Sequence, residues 1–272
     1  MAATTATATT TPTTEKINSY TIEVDGDVCV GCGACVGVCG FGVLELRDGS
    51  AVLAHGERCI GCTQCTAVCP TRAVHAVVRD PAQTAPVPAD DFVEQPFVPL
   101  EALAQHVAAR RSVRHFAPEP PPRAVLERVL QAARYAPTAR NRRTVHYAVV
   151  ADPARVQRLR ELCAPACAAP HLLMPAPCVL LVLSTSPRPE DALIAATTVD
   201  LLAPAAGLAC TFAGIVRRCV EGSPDVRRFL RDECGITGIE DGCLQALNIG
   251  IPASEPQWLR PAVREPAPIQ WS

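Results

Sequence analysis

Residues 29–39 read CVGCGACVGVC and residues 59–70 read CIGCTQCTAVCP. Each run has the form C-x2-C-x2-C-x3-C: Cys29, Cys32, Cys35 and Cys39 in the first, Cys59, Cys62, Cys65 and Cys69 in the second, the latter followed by Pro70. Together they take eight of the fifteen cysteines in a chain of 272 residues. Closely set thiolates are soft ligands that suit iron–sulfur clusters, and this spacing is that of bacterial [4Fe-4S] ligation, in which the fourth Cys of each run serves the cluster of the other run. The expected sets are therefore Cys29, Cys32, Cys35 and Cys69 for one [4Fe-4S] cluster and Cys59, Cys62, Cys65 and Cys39 for the second. Structural zinc uses pairs of Cys or His in separate knuckles, and a disulfide framework needs an oxidising compartment. Zinc does not call for three cysteines within seven residues twice over, and nothing in the sequence points to an oxidising compartment, so both stand as the weaker alternatives.

The segment resembles the clostridial-type two-cluster ferredoxins. It departs from them at Gly40, which follows Cys39 where that family carries Pro. No ligand is lost, so the departure bears on the local turn and on cluster exposure.

Composition bounds the remainder. Net charge is −2 and the isoelectric point about 6.3, so no bulk electrostatics favour nucleic acid or an anionic membrane. No run of 18 apolar residues occurs, so no membrane span is expected. The N-terminus has neither a basic n-region nor an apolar h-region. With the cysteine usage, this predicts a reducing, cytoplasmic setting.

Residues 1–18 are a Thr/Ala low-complexity tail, expected to be disordered. Residues 19–80 form the expected two-cluster domain. In it, Tyr20–Val24 reads as a strand, Val43–Leu46 and Val52–Ala54 as a hairpin about Arg47-Asp48-Gly49-Ser50, and Arg72–Val78 as a closing strand. Residues 81–98 are rich in Pro, Ala and acid and read as a linker. From residue 99 to 272 helices and strands alternate. Leu100, Leu103, Ala104 and Val107 recur at helical spacing up to Ala109. Leu126, Val129, Leu130 and Ala133 share a face of a second helix opened by Pro120–Pro122 and closed before Pro137. Strands are predicted at Val145–Val150, Cys178–Leu183 and Leu244–Ile249, the middle one apolar enough to be buried on both faces. Helices are predicted over Pro153–Leu162, over Asp191–Leu208 with a kink at Pro204, and from Ser223, with Ser as N-cap and Pro224 at N1. The proline-rich tail from Pro252 reads as extended.

Arg110-Arg111-Ser112-Val113-Arg114 follows the first of these helices. Three guanidinium groups and a hydroxyl suit a phosphate. A basic helix end equally complements the helix dipole, and the segment alone does not decide. Joined to Ala136-Pro137-Thr138-Ala139-Arg140-Asn141, however, it resembles the flavin-dependent nitroreductases. Further matches follow in order: Asp200–Leu208 with its Gly207-Leu208 ending, Thr211–Gly214, Leu247–Pro252, and Arg264-Glu265-Pro266 with Trp271. The resemblance covers residues 100 to 272. The whole chain therefore reads as α+β: a ferredoxin-like two-cluster domain followed by a nitroreductase-like α-β-α sandwich.

The resemblance implies FMN bound at a homodimer interface. By position, Arg110, Arg111, Ser112, Arg114 and Arg264 would hold its phosphate and ribityl chain. Asn141 would meet the polar edge of the ring, and a backbone N–H near Ala213 or Gly214 would face the flavin N5. Arg143 stands where the family often has Gln; it either approaches the pyrimidine edge or points to solvent. The absence of any strand–GxGxxG–helix unit removes the obvious NAD(P)H signature.

The function implied is an iron–sulfur flavoprotein oxidoreductase. An external low-potential donor (ferredoxin, flavodoxin or an NAD(P)H-linked reductase) would feed two [4Fe-4S] clusters and FMN. The flavin would reduce a small-molecule substrate: a nitro compound, a quinone, an activated C=C or a carbon–halogen bond. The alternatives are an electron-carrier or partner-binding module with a non-catalytic flavin domain, and a dehydrogenase running in the oxidative direction. No catalytic side chain is nominated. Of the other seven cysteines, only Cys163 and Cys167 lie close in sequence, as a metal or redox pair or as small hydrophobes. His115, His146 and His171 are proton donors only if they line the flavin, and otherwise surface or core residues.

Overall fold

The computed structural model describes residues 20–78, 98–167, 173–186, 188–240, 243–253 and 267–270. The expected N-terminal tail, nearly all of the linker, His171, Arg264, Trp271 and most of the C-terminal tail lie outside the described residues. The chain divides into two compact units, residues 1–92 with 140–142, and residues 93–139 with 143–272.

The first unit is built twice over at an interval of 30 residues, the offset from Cys29 to Cys59. Strand β1 (Tyr20–Val24) pairs antiparallel with β4 (Val74–Val78), and β2 (Leu44–Arg47) with β3 (Ser50–Leu53) through the Asp48-Gly49 turn. Short helices α1 (Ala34–Val38) and α2 (Gln64–Ala67) carry the third cysteine of each run. Even single hydrogen bonds recur. Gly37 N–H reaches Gly33 O at 2.9 Å and Ala67 N–H reaches Thr63 O at 3.1 Å; Gly42 N–H reaches Cys39 O at 3.2 Å and Arg72 N–H reaches Cys69 O at 3.3 Å. Backbone torsions repeat as well: Gly31 and Gly61, Gly33 and Thr63, and Gly42 and Arg72 all have φ between 57° and 75°. At Gly31 the repeat needs glycine twice over, because a Cβ there would stand 2.2 Å from Gly49 O. The core is small: Ile22, Val43, Leu44, Ala51 and Val74 pack around Cys35 and Cys65.

The second unit is a four-stranded antiparallel sheet between two helical layers. Its strand order is β5 (Val145–Val150), β6 (Cys178–Ser184), β8 (Cys243–Gly250), β7 (Ala209–Phe212). Every residue of β6 is buried. Cys178, Leu180 and Val182 face one layer; Val179, Leu181 and Leu183 face the other. The first layer holds α4 (Arg123–Ala133) and α6 (Pro189–Leu202). The second holds α5 (Pro153–Cys163), α7 (Gly214–Gly222) and α8 (Pro224–Asp232). Asp152 caps α5 by accepting Arg155 N–H at 2.9 Å, and Ser223 caps α8 by accepting Val226 N–H at 3.4 Å. Gly250 is pressed between Pro177 and Phe116, where a Cβ would meet side-chain atoms at 2.8 and 3.0 Å.

Two expectations are corrected. The predicted kink at Pro204 is a helix end: α6 stops at Leu202, Ala203–Ala206 winds as a 3₁₀ turn, and Gly207 closes it at φ 73°. Proline at the start of the tighter turn has no N–H to contribute, and the left-handed glycine releases the chain into β7. Helix α3 (Leu100–Ala109) has the predicted bounds, yet no residue of it is buried. Its apolar face, Leu100, Leu103 and Val107, is at least 48 % exposed at each position. The helix is tethered by a 2.6 Å hydrogen bond between His106 Nε2 and Leu201 O.

Candidate functional site

In the first unit, the chain turns its backbone N–H groups onto the cysteine sulfurs. Val43 N–H donates to Cys39 Sγ at 3.4 Å, and Ala73 N–H to Cys69 Sγ at 3.2 Å, the same bond one repeat later. Ala51 N–H donates to Cys29 Sγ at 3.5 Å and Gly61 N–H to Cys59 Sγ at 3.4 Å. Such donors favour the thiolate. The Ala51 N–H, the Ser50 hydroxyl and the Gly31 N–H hold Cys29 below the usual thiol range. At Cys69 burial pushes the thiol up, but the Val74 N–H, Thr71 and the Ala73 N–H outweigh it and bring it down. Cys35 and Cys65 are buried, and burial pushes Cys65 up to about 11. Their cost as bare thiolates is offset only when a metal takes the charge. Among the described residues no three His, Cys, Asp or Glu groups are set for a single metal ion. A cubane asks for a different arrangement, with each thiolate on its own iron at a corner of the cluster. The donor chemistry fits two such clusters. Nothing lies within 4 Å of a Cβ placed on Gly40, so packing does not require glycine there.

Residues 140–142 group with this first unit. The Asn141 amide donates to Ile60 O at 3.1 Å and Gly61 O at 2.8 Å, the two carbonyls between Cys59 and Cys62. Arg140, Asn141 and Arg143 all have left-handed φ, 53–55°. Three strained non-glycine residues in four mark a loop whose shape is imposed by what it touches. Arg143 is exposed, and its N–H donates to Thr138 Oγ1 at 3.0 Å. Neither the bond to the cysteine loop nor the strain has any signature in sequence.

In the second unit, the basic segment after α3 divides by role. Arg110 Nη1 lies 3.2 Å from Asp200 Oδ2 on α6. Asp200 is only 5 % exposed. Burial raises its carboxyl above the ordinary range, and Arg110 opposes that rise. Arg111 turns back onto α3, donating to Ala108 O at 2.6 Å and Arg110 O at 3.0 Å, the helix-end role considered from sequence. Arg114 is exposed and donates to Ser112 O at 3.1 Å. The stretch is fixed along β7 and the end of β8 by Val113 N–H to Cys210 O at 3.0 Å and Ala117 N–H to Ile251 O at 2.8 Å. Asp200, the partner that fixes Arg110, opens the Asp200–Leu208 motif, which by itself gives it no role. Buried acids on an otherwise apolar helix are the signal that finds it.

Ala213 and Gly214 lie at the β7–α7 junction. Ala213 N–H is already given to Ala246 O at 2.8 Å. Gly214, the first residue of α7, has an N–H without an intrahelical acceptor, and no bond from it is seen among the described residues. Both residues line a cavity of about 280 Å³, together with Arg160, Arg218, Asn248 and an apolar wall that includes Leu173, Met174 and Val179. Arg110, Arg111, Ser112, Arg114 and Asn141 do not line it. His115 and His146 are exposed. Cys163 is buried and pushed up by burial first and by neighbouring Cys219 second, and Cys178 rises to about 12 by burial alone. Both behave as small hydrophobes.

Comparison with known proteins places names on the two units. Residues 28–74 match the 4Fe-4S dicluster domain, and residues 107–170 match the Nitroreductase family. Ferredoxin-2 of Desulfomicrobium norvegicum is 54 % identical over 33 residues, which are 12 % of this chain and 56 % of that ferredoxin. The chain thus spans just over half the length of this curated relative. Among solved structures, a nitroreductase with bound FMN from Desulfitobacterium hafniense superposes with TM-score 0.51 at 20 % identity, covering 62 % of this chain and 97 % of that one. A nitroreductase with bound FMN from Bacteroides fragilis gives TM-score 0.48 at 18 % identity, covering 62 % and 94 %. The likeness to the Desulfitobacterium hafniense structure is one of fold. The chain therefore carries a 4Fe-4S dicluster domain followed by a nitroreductase-family domain, the make-up of an iron–sulfur flavoprotein oxidoreductase.

Proposed function

We propose that the chain is a reductase in which two [4Fe-4S] clusters and FMN connect an external low-potential electron donor to a small organic substrate. Bound to this chain, the clusters supply single electrons and FMN supplies them in pairs, to a nitro, quinone, activated C=C or carbon–halogen group. The observation that carries the reading is the 30-residue repeat of thiols, each run meeting backbone N–H groups, in one chain with a Nitroreductase-family match.

The protein's part is to bind, orient and shield. Cys29, Cys32, Cys35 and Cys69 hold one cluster; Cys59, Cys62, Cys65 and Cys39 hold the other. The N–H groups of Ala51, Val43, Gly61 and Ala73 lower the energy of charge on the sulfurs. Arg114 and Ser112 bind the FMN phosphate with Arg264. Arg110 adds its charge while oriented by Asp200. Gly214 N–H meets the polar middle of the flavin ring. Asn141 meets the polar edge of the ring. The apolar face of α3, which no described element covers, is closed by a second copy of the chain, giving the homodimer.

Anaerobic reconstitution followed by iron, sulfide and FMN quantification tests this reading. About eight irons and one flavin per chain are expected, with flavin absorbance bleached on addition of dithionite-reduced ferredoxin. A protein that holds its clusters but no flavin in excess FMN is an electron carrier, and the proposal then falls. Arg110→Ala with Arg114→Ala should lower flavin content; an unchanged content refutes the phosphate assignment.

A further inference from the structure

Three cysteines outside the cluster ligands meet in the second helical layer of the second unit. Cys163 is the last residue of α5, Cys167 follows the 3₁₀ turn Ala164–Ala166, and Cys219 lies on α7. Cys163 and Cys219 are buried in the core, and Cys167 is half-buried. The Cys219 thiol donates to Cys163 O at 3.9 Å, and the two thiols are hydrogen-bonded to each other as well. Cys167 stands close enough for its charge to act on Cys163. Two sulfurs separated by 56 residues of chain are thus brought face to face, with a third beside them nearer the surface.

Burial alone does not produce such a pair. Cys178 and Cys210 are buried as deeply against the other layer. Both stand opposite Ile249 of β8, Cys178 from β6 and Cys210 from β7. They are therefore two strand spacings apart, roughly 9.5 Å, beyond the roughly 4.4–6.8 Å between Cα atoms that a disulfide spans. While reduced, Cys163 packs as a small hydrophobe. Burial and Cys219 push its thiol up, so a dissolved oxidant meets Cys167 first.

We propose that Cys163 and Cys219 are a reversible thiol–disulfide pair, loaded through Cys167, that staples α5 to α7 when the protein meets a hydroperoxide. Cys167 gives up its proton and attacks the terminal oxygen of ROOH. The O–O bond breaks, Cys167 becomes a sulfenic acid, and RO⁻ takes the proton to leave as ROH. Cys163 then attacks that sulfur; the S–O bond breaks and the hydroxyl leaves with the Cys163 proton as water. Cys219 attacks Cys163 Sγ, and its proton passes to Cys167, which departs as a thiol. The sum is two thiols and ROOH going to one disulfide, ROH and water. A dithiol reductant reverses it. The pair lies wholly in the second unit and uses neither cluster nor flavin, so it is decided separately from the redox function.

The test treats the cofactor-loaded full-length protein, under argon, with a small excess of tert-butyl hydroperoxide. Remaining thiols are alkylated and the cysteines mapped by proteolysis and mass spectrometry, with iron content followed in parallel. The peptide carrying Cys219 should be recovered joined to Cys163, while Cys178 and Cys210 are recovered as alkylated thiols. Closing so long a loop restricts the unfolded chain, so the melting temperature of the second unit should rise by roughly 5–10 °C and return on addition of dithiothreitol. Cys167→Ser should slow the cross-link at least about tenfold. Cys219 recovered as a free thiol, or joined to other cysteines as often as to Cys163, would overturn the proposal. A Cys167→Ser variant that cross-links at the parent's rate would overturn the relay. If Cys167→Ser does not fold, Cys167→Ala reads the relay, and the parent's own cross-link decides the pair.

Discussion

Replacing Arg110 with Ala should destabilise the second unit in a way that depends on pH. Arg110 lies 3.2 Å from Asp200, whose side chain is 7 % exposed against 27 % for the arginine. Removing one partner of a buried pair typically costs 3–5 kcal/mol, because the other charge stays buried and alone. The partial exposure of Arg110 puts this case at the low end, about 3 kcal/mol. For a unit of this size that is a drop of roughly 6–12 °C in melting temperature. The folded-state pKa of Asp200 is already raised by burial, and Arg110 is what opposes the rise. Without Arg110 it climbs further. A carboxyl with a raised folded pKa contributes stability that is fully present below its unfolded value, about 3.9, and lost as pH rises through the folded pKa. The penalty should therefore be largest at neutral to alkaline pH and shrink as pH falls and Asp200 takes a proton and becomes neutral. Thermal unfolding followed by circular dichroism across that range, on protein with measured flavin content, checks it. The double variant Arg110→Ala with Asp200→Asn should recover most of the loss, since no buried charge remains. A penalty below about 1 kcal/mol at pH 8, a penalty independent of pH, or no recovery in the double variant would refute the reasoning.

Cys69→Ser should cost one cluster although Cys29, Cys32 and Cys35 remain, taking iron from about eight to about four per chain; iron still near eight would sink the crossed assignment. Gly31→Ala should disrupt the first cysteine run, because its Cβ would stand 2.2 Å from Gly49 O, while Gly37→Ala, with nothing within 4 Å, should leave iron content unchanged. Ser223→Ala removes the cap of α8 and should cost about 1 kcal/mol, read as a melting shift of roughly 2–4 °C. Asn141→Ala removes two hydrogen bonds to the carbonyls between Cys59 and Cys62; the measurable consequence is faster iron loss to a chelator, and a rate equal to the parent's would show that the loop does not need them.

Much of this architecture is legible in the residues because local physics wrote it there. The bounds of α3 and β5 coincide with their patterns, and the apolar run of β6 is buried on both faces as its composition requires. Local pattern misleads where local and tertiary terms compete. Pro204 stands inside an apolar stretch that periodicity alone extends to Leu208, but Gly207 supplies the left-handed exit that ends the helix. The apolar face of α3 reads as core from spacing, and nothing in the sequence says that no described element covers it. Within the Arg110–Arg114 segment, five residues share one composition signal yet divide into an ion pair, a helix-end cap and an exposed cation. That division depends on Asp200, ninety residues away in sequence. The left-handed loop at Arg140–Arg143 is invisible for the same reason: no glycine announces it.

The repeat in the first unit is unequal in one respect. Where the first copy places Gly33 and Gly42 in the left-handed region, the second places Thr63 and Arg72. Each side chain there costs roughly 1–2 kcal/mol that glycine does not, so the second half is held in shape at greater expense than the first. The order of disassembly follows. On loss of iron, residues 59–72 have conformational energy to release by unwinding, and the glycine-based copy has less. The domain thus has a weak half and a durable one, and its ageing in air should begin at the second cysteine run.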